Sequence, residues 1–469
     1  MLFNSIEYLI FLPIVFIIYW LLKNNYKNQN ILLLISSYVF YGWWDYRFLS
    51  LILFSSFLDY FVGQKIEQAV GDKNKKRWLL VSLCSNLGLL GVFKYYNFFA
   101  DSFANTMSTV GWEVNDLTLN IILPVGISFY TFQTLSYSID IYRGQIKASR
   151  DIVGFFTFVS LFPQLVAGPI ERASNLIPQI EKKRNLNITL IKTGIFQIFI
   201  GLFRKVAIAD NLGVYVDSVY GNYEIHNSST LLVATVFYAF QIYFDFSGYS
   251  DIAIGSAKLF GFNFNRNFNF PYFSKTLTEF WRRWHMSLSF WLRDYLYISL
   301  GGNRKGIVIT YRNLLLTMLL GGLWHGSSWN FVIWGAIHGL FLSFEKYTFS
   351  ALKITTFNAL GYIYTFFVVL ISWIFFRAPD LQSASTIVTE ILSFNYGSIF
   401  IGDINAFVNA LLLISIGILI DLKIFRSNIP LEDYGVRFNA VKLSFIVSVI
   451  ILMLCLFYST AENFIYFQF

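Results

Sequence analysis

Long, nearly uncharged apolar runs recur from one end of this 469-residue chain to the other. A run of about 18 or more such residues is long enough to cross a bilayer as a helix. Charged residues make up 13% of the chain, about half the roughly 25% usual in soluble domains, whereas 56% are hydrophobic. We therefore predict an all-α, polytopic membrane bundle. This composition argues against a soluble enzyme, a disordered tail and a secreted disulfide scaffold.

The positions of the apolar runs predict about 10–12 membrane helices within one integral-membrane domain, residues 1–469. The predicted spans are 5–22, 30–46, 48–64, 78–96, 120–139, 193–212, 230–249, 314–325, 329–345, 357–377, 405–422 and 442–458. The stretch 314–345 is alternatively one long bent helix. The first span has no basic segment before it and no small-residue cleavage site after it, so we interpret it as a retained helix.

The distribution of loop charge predicts two re-entrant segments. Basic loops at 65–77, 140–151 and 181–192 are expected in the cytoplasm, whereas the loop 97–119 carries Asp101, Glu113 and Asp116 and is expected outside. The apolar stretch 152–169 lies between two basic loops and ends in two prolines and a glycine, which break a helix. The stretch 285–300 has the same setting. Broken backbone at membrane depth implies an interior cavity or funnel.

Several classes of function have no support in the sequence. The net charge of +8 is spread over short loops and indicates membrane topology, not nucleic-acid binding. Cys84 and Cys455 lie far apart without metal-ligand spacing, so we predict no metal site. The patterns of serine hydrolases, nucleotide-driven enzymes and zinc proteases are missing from the sequence.

His325 is the sharpest polar signal in the chain. It lies in the segment Leu320–Asn330, surrounded by glycines and by Trp324 and Trp329, with no acidic residue within ten positions to hold it as an ion pair. An intramembrane ionisable residue is costly and is a functional candidate by default. A neutral imidazole is a competent general base, although a histidine that only packs helices explains the position equally well.

His285 belongs to a basic and aromatic stretch that contains Arg282, Arg283 and Arg293. Tryptophan and arginine together are typical of a membrane interface, but these arginines also suit the phosphates of an anionic substrate. His338 is 13 residues after His325 and would share a site with it only if the helix breaks near Ser327–Ser328, so we interpret it as a packing residue. His226 is expected in a solvated loop.

Asp245 and Asp251 lie within an apolar run. A carboxylate in such a run normally pairs with a cation or lines water. A proton relay and a structural ion pair are both open, and we favour the ion pair.

The order of the motifs resembles the membrane-bound O-acyltransferase family, most closely its bacterial alginate O-acetyltransferase-like branch. The matching segments are Phe162–Ile170 (FPQLVAGPI), Tyr243–Asp251 (YFDFSGYSD), Phe280–His285 (FWRRWH), Gly301–Arg304 (GGNR), Leu323–Gly326 (LWHG), Trp334–Gly339 (WGAIHG), Phe375–Ala378 (FFRA) and Phe467–Phe469 (FQF). Together they cover nearly the whole chain.

The resemblance implies a membrane O-acetyltransferase of the bacterial inner membrane that modifies an extracytoplasmic polysaccharide, either an alginate-like polymer or peptidoglycan. The family's active-site histidine maps onto His325, and a second tunnel histidine of the D-alanyl-transferring branch maps onto His285. We expect cytoplasmic acetyl-CoA as the donor, with no bound cofactor. The expected substrate-binding residues are Arg282, Arg283, Arg304, Asn330 and Trp324, with Asn330, Ser327 or a backbone N–H stabilising the oxyanion. An acyl-His325 intermediate is a further possibility.

The expected partners are an extracytoplasmic SGNH-type protein that completes delivery, the envelope polysaccharide and membrane lipid. Two alternatives stay open. One is D-alanyl transfer to a teichoic acid-type polymer, and the other is a transporter of glycans or lipid-linked glycans, which predicts inverted repeats.

Overall fold

The computed structural model describes residues 1–114, 117–166, 168–352, 359–457 and 464–465. Throughout these ranges the regular secondary structure is helical, without a strand, which confirms the all-α prediction. The chain divides into two compact units. The first comprises residues 1–2, 6–187 and 260–264, and the second comprises residues 3–5, 188–259 and 265–469. The motif residues Ala167 and Phe467–Phe469 and the loop residue Asp116 lie outside the described residues.

The first unit contains the first nine α-helices of the described chain. These are α1 (Ile6–Leu21), α2 (Tyr26–Asp45), α3 (Leu49–Gln68), α4 (Asp72–Leu90), α5 (Tyr96–Thr109), α6 (Ile127–Tyr142), α7 (Ile152–Ser160), α8 (Phe162–Leu165) and α9 (Ala173–Ile180).

The second unit carries the long buried helix of the fold and the candidate site. Its helices are α10 (Ile188–Leu202), α11 (Asp210–Tyr220), α12 (Ser228–Leu259), α13 (Leu277–Trp281), α14 (Met286–Trp291), α15 (Ile307–His325), α16 (Trp329–Leu352), α17 (Leu360–Arg377), α18 (Leu381–Leu392), α19 (Ile404–Arg426), α20 (Leu431–Tyr434) and α21 (Ala440–Leu456). Wider π-helical turns occupy Phe203–Ala209 and Leu292–Tyr297.

Each predicted span overlaps a helix, and the chain is a multi-pass membrane protein. By length and composition, six helical stretches of the described chain are suited to cross a membrane. They are Tyr26–Gln68, Asp72–Thr109, Ser228–Leu259, Ile307–His325, Leu360–Arg377 and Ile404–Arg426. Shorter apolar helices lie at Ile6–Leu21, Ile152–Leu165 and Ala440–Leu456.

Polar side chains fix the first residue of several helices. Asn25, Asp380, Asp403 and Asn439 each accept a hydrogen bond from a backbone N–H in the first turn of α2, α18, α19 and α21. Such caps satisfy N–H groups that have no partner within the helix, and each stabilises it by about 1 kcal/mol.

Several helices continue into charged or polar segments that the sequence analysis predicted to be loops. The predicted loop 65–77 shrinks because α3 extends to Gln68 and α4 begins at Asp72. The predicted loop 97–119 is wrong over its first half, which forms α5. Hydropathy identifies residues that suit a membrane, whereas charged and polar residues also form helices. The span predicted at 120–139 becomes helical only at Ile127, because Pro124 and the left-handed Gly126 (φ 77°) precede it.

The two stretches predicted to be re-entrant differ in their helical structure. α7 ends at Ser160, and Leu161 has a non-helical backbone (φ −53°, ψ 116°) before the short α8. Nine residues of helix rise about 14 Å, roughly half of a 30 Å hydrocarbon core. α14 has six residues and passes directly into the π-helical turn. The predicted break is therefore confirmed at Leu161 in the stretch 152–169, whereas the stretch 285–300 contains one continuous helical run from Met286 to Tyr297. Their entry from the cytoplasm remains a prediction.

Helices α10 and α12 approach closely at two reciprocal glycine pairs. A Cβ added at Gly201 would lie 2.5 Å from the carbonyl oxygen of Gly248, and one added at Gly248 would lie 2.7 Å from that of Gly201. Gly194 and Gly255 face each other in the same way, at 2.8 and 2.6 Å. Every residue of α12 from Gln241 to Leu259 is buried. Small residues therefore let the backbones of these helices touch, as in other membrane helix pairs.

We expect Gly248→Ala to destabilise the protein by about 1–3 kcal/mol, because the added methyl group forces the two backbones apart. The measurement is the thermal unfolding midpoint of the purified protein in detergent. The matched control is Gly88→Ala on α4, where an added Cβ meets nothing within 4 Å. Equal midpoints for Gly248→Ala and Gly88→Ala would show that the close approach does not contribute to stability.

Candidate active site

All predicted site residues lie in the second unit, and all of them except Arg304 lie in three parts of its chain. Arg282, Arg283 and His285 occupy the turn between α13 and α14. Trp324 and His325 are the last two residues of α15, and Asn330 lies in the first turn of α16.

A break between α15 and α16 determines where His325 lies. Gly326 is extended (φ −154°, ψ 151°), and α16 begins only at Trp329, so the alternative of one long bent helix is wrong. The two helices then pack against each other at glycines. A Cβ on Gly322 would collide with the carbonyl oxygen of Phe331, and a Cβ on Gly335 with that of Met318.

His325 is buried, with 3% of its surface exposed, and is surrounded by aromatic rings. Its ring centroid lies 5.0 Å from those of Trp324 and Trp334 and 5.5 Å from that of Phe376. It is also the last residue of a 19-residue helix, where the backbone carbonyls leave a partial negative charge. That charge stabilises an imidazolium, the form that a base reaches when it takes a proton.

His285 is fully buried and has an unusual backbone conformation. Its φ of 41° and ψ of 54° are left-handed, which costs a residue with a side chain about 1–2 kcal/mol. Its Nδ1 lies 3.0 Å from Oδ1 of Asn267. The ring also packs edge-on against Phe246, with 4.7 Å between centroids.

The structure brings His285 and His325 together. Their ring centroids are 6.3 Å apart, and Trp324 touches both rings. Sequence spacing alone does not predict this, because the residues are 40 positions apart. It arises because the turn before α14 meets the end of α15.

His338 does not contact His325 directly. Trp334 separates the two histidines, with centroids 5.0 Å from His325 and 4.8 Å from His338. Nδ1 of His338 accepts a hydrogen bond from the indole N–H of Trp281 at 3.3 Å, and Nε2 is 3.0 Å from the hydroxyl of Ser372. Both ring nitrogens therefore bind neighbouring side chains, which supports the interpretation of His338 as a packing residue.

A cavity of about 1010 Å³ lies beside α13 and α14 and has a basic lining. Its charged side chains are Lys275, Glu279, Arg282, Arg283, Arg293 and Lys346. Arg282 is exposed, whereas Arg283 is half-buried and paired with Glu279 at 2.8 Å. Trp281 lines the cavity and contacts Trp334, which contacts His325. The two indoles thus lie between the cavity and the histidine.

Arg304 and Asn330 are placed differently from the other predicted binding residues. Arg304 lies in the exposed turn 301–305, and it is not among the described residues that line the cavity. Asn330 is buried, and its Nδ2 donates to the carbonyl of Ala378 at 2.8 Å, which ties the start of α16 to the end of α17. Trp324 contacts both histidines directly.

Asp245 and Asp251 belong to buried ion pairs, which confirms the favoured interpretation. Nζ of Lys205 lies 2.8 Å from Asp245 and 2.8 Å from Asp210. Arg204 pairs with Asp251 at 2.6 Å and also with Asp421.

The neighbouring polar groups complete this ion-pair cluster. Gln197 donates to Asp251, and the hydroxyl of Tyr243 donates to Asp421 at 2.6 Å. Both cations lie in the π-helical turn 203–209, whose wider winding places successive side chains differently from an α-helix.

Some residues of the site escaped the sequence analysis. Asn267 lies in a loop with several asparagines, and nothing in that pattern distinguishes it from its neighbours. Lys275 and Lys346 join the cavity from positions 71 residues apart, which only the fold reveals. Arg204 and Lys205 did carry a signal, since two adjacent cations interrupt an apolar run that faces an Asp-bearing helix.

Known proteins resemble this chain over most of its length. The model of the membrane-bound O-acyltransferase family matches residues 146–385, which include His285, His325 and His338. A probable alginate O-acetylase of Pseudomonas putida is 44% identical over 402 residues, 84% of this chain and 81% of that protein. A peptidoglycan O-acetyltransferase of Helicobacter pylori is 38% identical over 82% of this chain and 78% of that protein. A teichoic acid D-alanyltransferase of Bacillus subtilis is 29% identical over 49% of this chain and 61% of that protein.

We expect Arg204→Met to destabilise the protein by about 3–5 kcal/mol, because it leaves Asp251 and Asp421 buried without their cation. Thermal unfolding in detergent measures the loss. The control is Arg47→Met, which breaks the ion pair of the exposed Arg47 with Asp45 and should change stability by less than about 1 kcal/mol. A loss no larger than that of the control would contradict the structural role.

Proposed function

The chain belongs to the membrane-bound O-acyltransferase family, and we propose that it passes an acetyl group from a cytoplasmic thioester to hydroxyls of an extracytoplasmic polysaccharide. The chain is thus an acyltransferase and a multi-pass membrane protein. The observation that carries the proposal is the buried pair of His285 and His325, whose ring centroids are 6.3 Å apart. The indoles of Trp281 and Trp334 separate His325 from a basic cavity.

The relatives support acetyl as the group and an envelope glycan as the acceptor. Two relatives that match more than four-fifths of this chain are named for alginate and for peptidoglycan O-acetylation. We therefore infer an alginate-like polymer or peptidoglycan as the acceptor, and the bacterial inner membrane as the location. D-alanyl transfer is the second candidate. It is less favoured because that relative matches only 49% of this chain, at 29% identity. Membership of an acyltransferase family argues against the transporter alternative.

In the proposed reaction His325 acts as the general base. It takes the proton of the acceptor hydroxyl while the hydroxyl oxygen attacks the thioester carbonyl. The new C–O bond forms, the C–S bond breaks, and the proton passes to the departing thiolate. The partial negative charge at the end of α15 stabilises His325 while it holds the proton. His285 and Trp324 position the reacting groups beside it.

The basic cavity is the proposed entrance for acetyl-CoA. The excess of Lys and Arg over carboxylate in its lining suits the phosphates of a CoA donor. Arg282 is the best placed of these residues because its side chain is exposed in the cavity wall. Arg283 serves as a second contact that keeps its pairing with Glu279. Arg304 lies outside the lining, and we propose it as a peripheral contact only.

Delivery of the acetyl group beyond the membrane needs an acceptor on the other side. We propose that an extracytoplasmic SGNH-type protein receives the group and completes its transfer to the polymer. The lipid bilayer holds the transferase, and no stable cofactor is required by this chemistry. Asn330 and the backbone N–H groups near Gly326 stay candidates for the oxyanion contact, although Nδ2 of Asn330 already donates to Ala378 and the N–H of Gly326 to Gly322.

We expect His325→Ala to lower O-acetylation by at least about 100-fold, because the general base is lost. The measurement is the ester content of the envelope polysaccharide, with labelled acetyl donor, in cells that express each variant at equal level. His226→Ala is the matched control, since His226 packs against Phe400 away from the histidine pair. Normal acetylation by His325→Ala would refute the catalytic assignment.

We expect Arg282→Glu to raise the KM for acetyl-CoA roughly tenfold or more while kcat changes little, because a charged contact to phosphate contributes about 1.5–3 kcal/mol. Initial rates of the purified protein give both constants. Arg312→Glu changes the charge of an exposed arginine that is outside the cavity lining and serves as the control. Equal KM values for the two variants would remove the cavity from the proposal.

A further inference from the structure

We propose that Asn267 is a positioning residue that keeps the proton of neutral His285 on Nδ1, so that Nε2 is the nitrogen that accepts protons in the active site. This inference rests on the proposed function, because it assigns His285 a role in acyl transfer. Its structural part, the position of the proton on the ring, is testable without any activity.

The hydrogen bonds around Asn267 fix the orientation of its amide. The residue is fully buried in the loop that follows α12. Its Oδ1 accepts from the backbone N–H of Ser287 at 3.3 Å and from the hydroxyl of Ser287 at 2.9 Å. A backbone N–H can only donate, so the atom facing it must be the oxygen. The other amide atom, Nδ2, donates to the hydroxyl of Ser250 at 3.0 Å.

The same oxygen lies 3.0 Å from Nδ1 of His285. A carbonyl oxygen can only accept, so Nδ1 must carry a hydrogen for this contact to be a hydrogen bond. A neutral imidazole has one N–H, and Nε2 therefore has the lone pair. The tautomer of His285 thus follows from the hydrogen-bond network around a single asparagine side chain.

The backbone of Asn267 also holds the strained turn at His285. Its carbonyl accepts from the N–H of Met286 at 2.9 Å, directly after the left-handed residue. Two positions later, the N–H of Asn269 donates to the carbonyl of Arg283 at 2.9 Å. The loop therefore brackets His285 on both sides, and one residue sets both the backbone and the ring.

Helix α12 supports this arrangement from behind. Phe246 and Ser250 are four residues apart and so lie on one face of the helix. Phe246 packs edge-on against the ring of His285, while Ser250 accepts from Asn267. The ring of His285 is therefore held at Nδ1 by Asn267 and by its contact with Phe246.

The role that follows is a shared proton. When the acceptor hydroxyl attacks the thioester carbonyl, the O–H bond breaks and the proton goes to the histidine pair. Nε2 of His285 provides the second lone pair for that proton, beside His325. The proton leaves with the thiolate once the C–S bond has broken. A base that a third group orients in this way is a recurring arrangement in acyl-transfer enzymes.

The first test compares Asn267→Asp with Asn267→Leu. Aspartate keeps an acceptor oxygen for Nδ1–H, so acetyl transfer should stay within about tenfold of wild type. Leucine is similar in size but has no acceptor, and transfer should fall roughly 100-fold, at the low end of general-base contributions. The matched control is Asn211→Leu, which removes an amide that donates to backbone carbonyls of Val206, Ala207 and Phe457. Wild-type rates in Asn267→Leu, or equal losses in the two Asn267 variants, would overturn the proposal.

The second test reads the tautomer directly. Nitrogen-15 NMR of the full-length protein, labelled at histidine, separates protonated from unprotonated ring nitrogens. The His285 signals are identified by their loss in His285→Asn, because asparagine tolerates a left-handed backbone. We expect a protonated Nδ1 and an unprotonated Nε2 in wild type and in Asn267→Asp. A protonated Nε2 in neutral His285 of the wild type would overturn the proposal.

The two tests separate this inference from the proposed function. If the wild-type protein fails to transfer acetyl groups but shows the expected tautomer, the proposed function fails and the positioning by Asn267 stands. If Asn267→Leu does not fold, the wild-type spectrum and the Asn267→Asp variant still decide the matter.

Discussion

The arrangement of the candidate site depends on one break in the backbone, between His325 and Trp329. The break turns the chain back on itself, so that α15 and α16 pack closely at Gly322 and Gly335. Trp334 on α16 then lies against His325 on α15, and His338 lies behind it. Without the break, His325 and His338 would be about 20 Å apart along a straight helix.

Buried charge is the second constraint on the second unit. Arg204 and Lys205 are adjacent in sequence, yet they serve two separate sets of carboxylates. A buried charge is tolerated only when partners replace its water, so these pairs specify how α12, α19 and the π-helical turn fit together. The glycine pairs between α10 and α12 act on the same helices and require no charge. The ion pairs and the glycine pairs both position α12. Phe246 on this helix packs against His285, and Ser250 binds Asn267, which contacts His285.

Hydropathy predicted the spans because a helix that crosses the hydrocarbon core needs a long run of apolar side chains. It failed at α5 and at the ends of α3 and α4, where polar residues continue the helix outside the apolar run. The sequence predicted His325 as a candidate from its cost in an apolar setting, and the family resemblance predicted both His325 and His285 as site residues. Their contact was not, because it depends on a loop meeting a helix end. Asn267 gave no signal in the sequence, since its proposed role comes from its three-dimensional neighbours.

The aromatic wall around His325 bears on a problem common to enzymes that activate thioesters. Water is a competing nucleophile, and an acyl group that meets water before the intended alcohol is lost to hydrolysis. Trp281 and Trp334 lie between the cavity and His325, and Trp324 and Phe376 add two more rings around it. Such surfaces give a water molecule few hydrogen-bond partners. In the proposed reaction the rings favour transfer to the alcohol over hydrolysis, because they separate the proposed base from water.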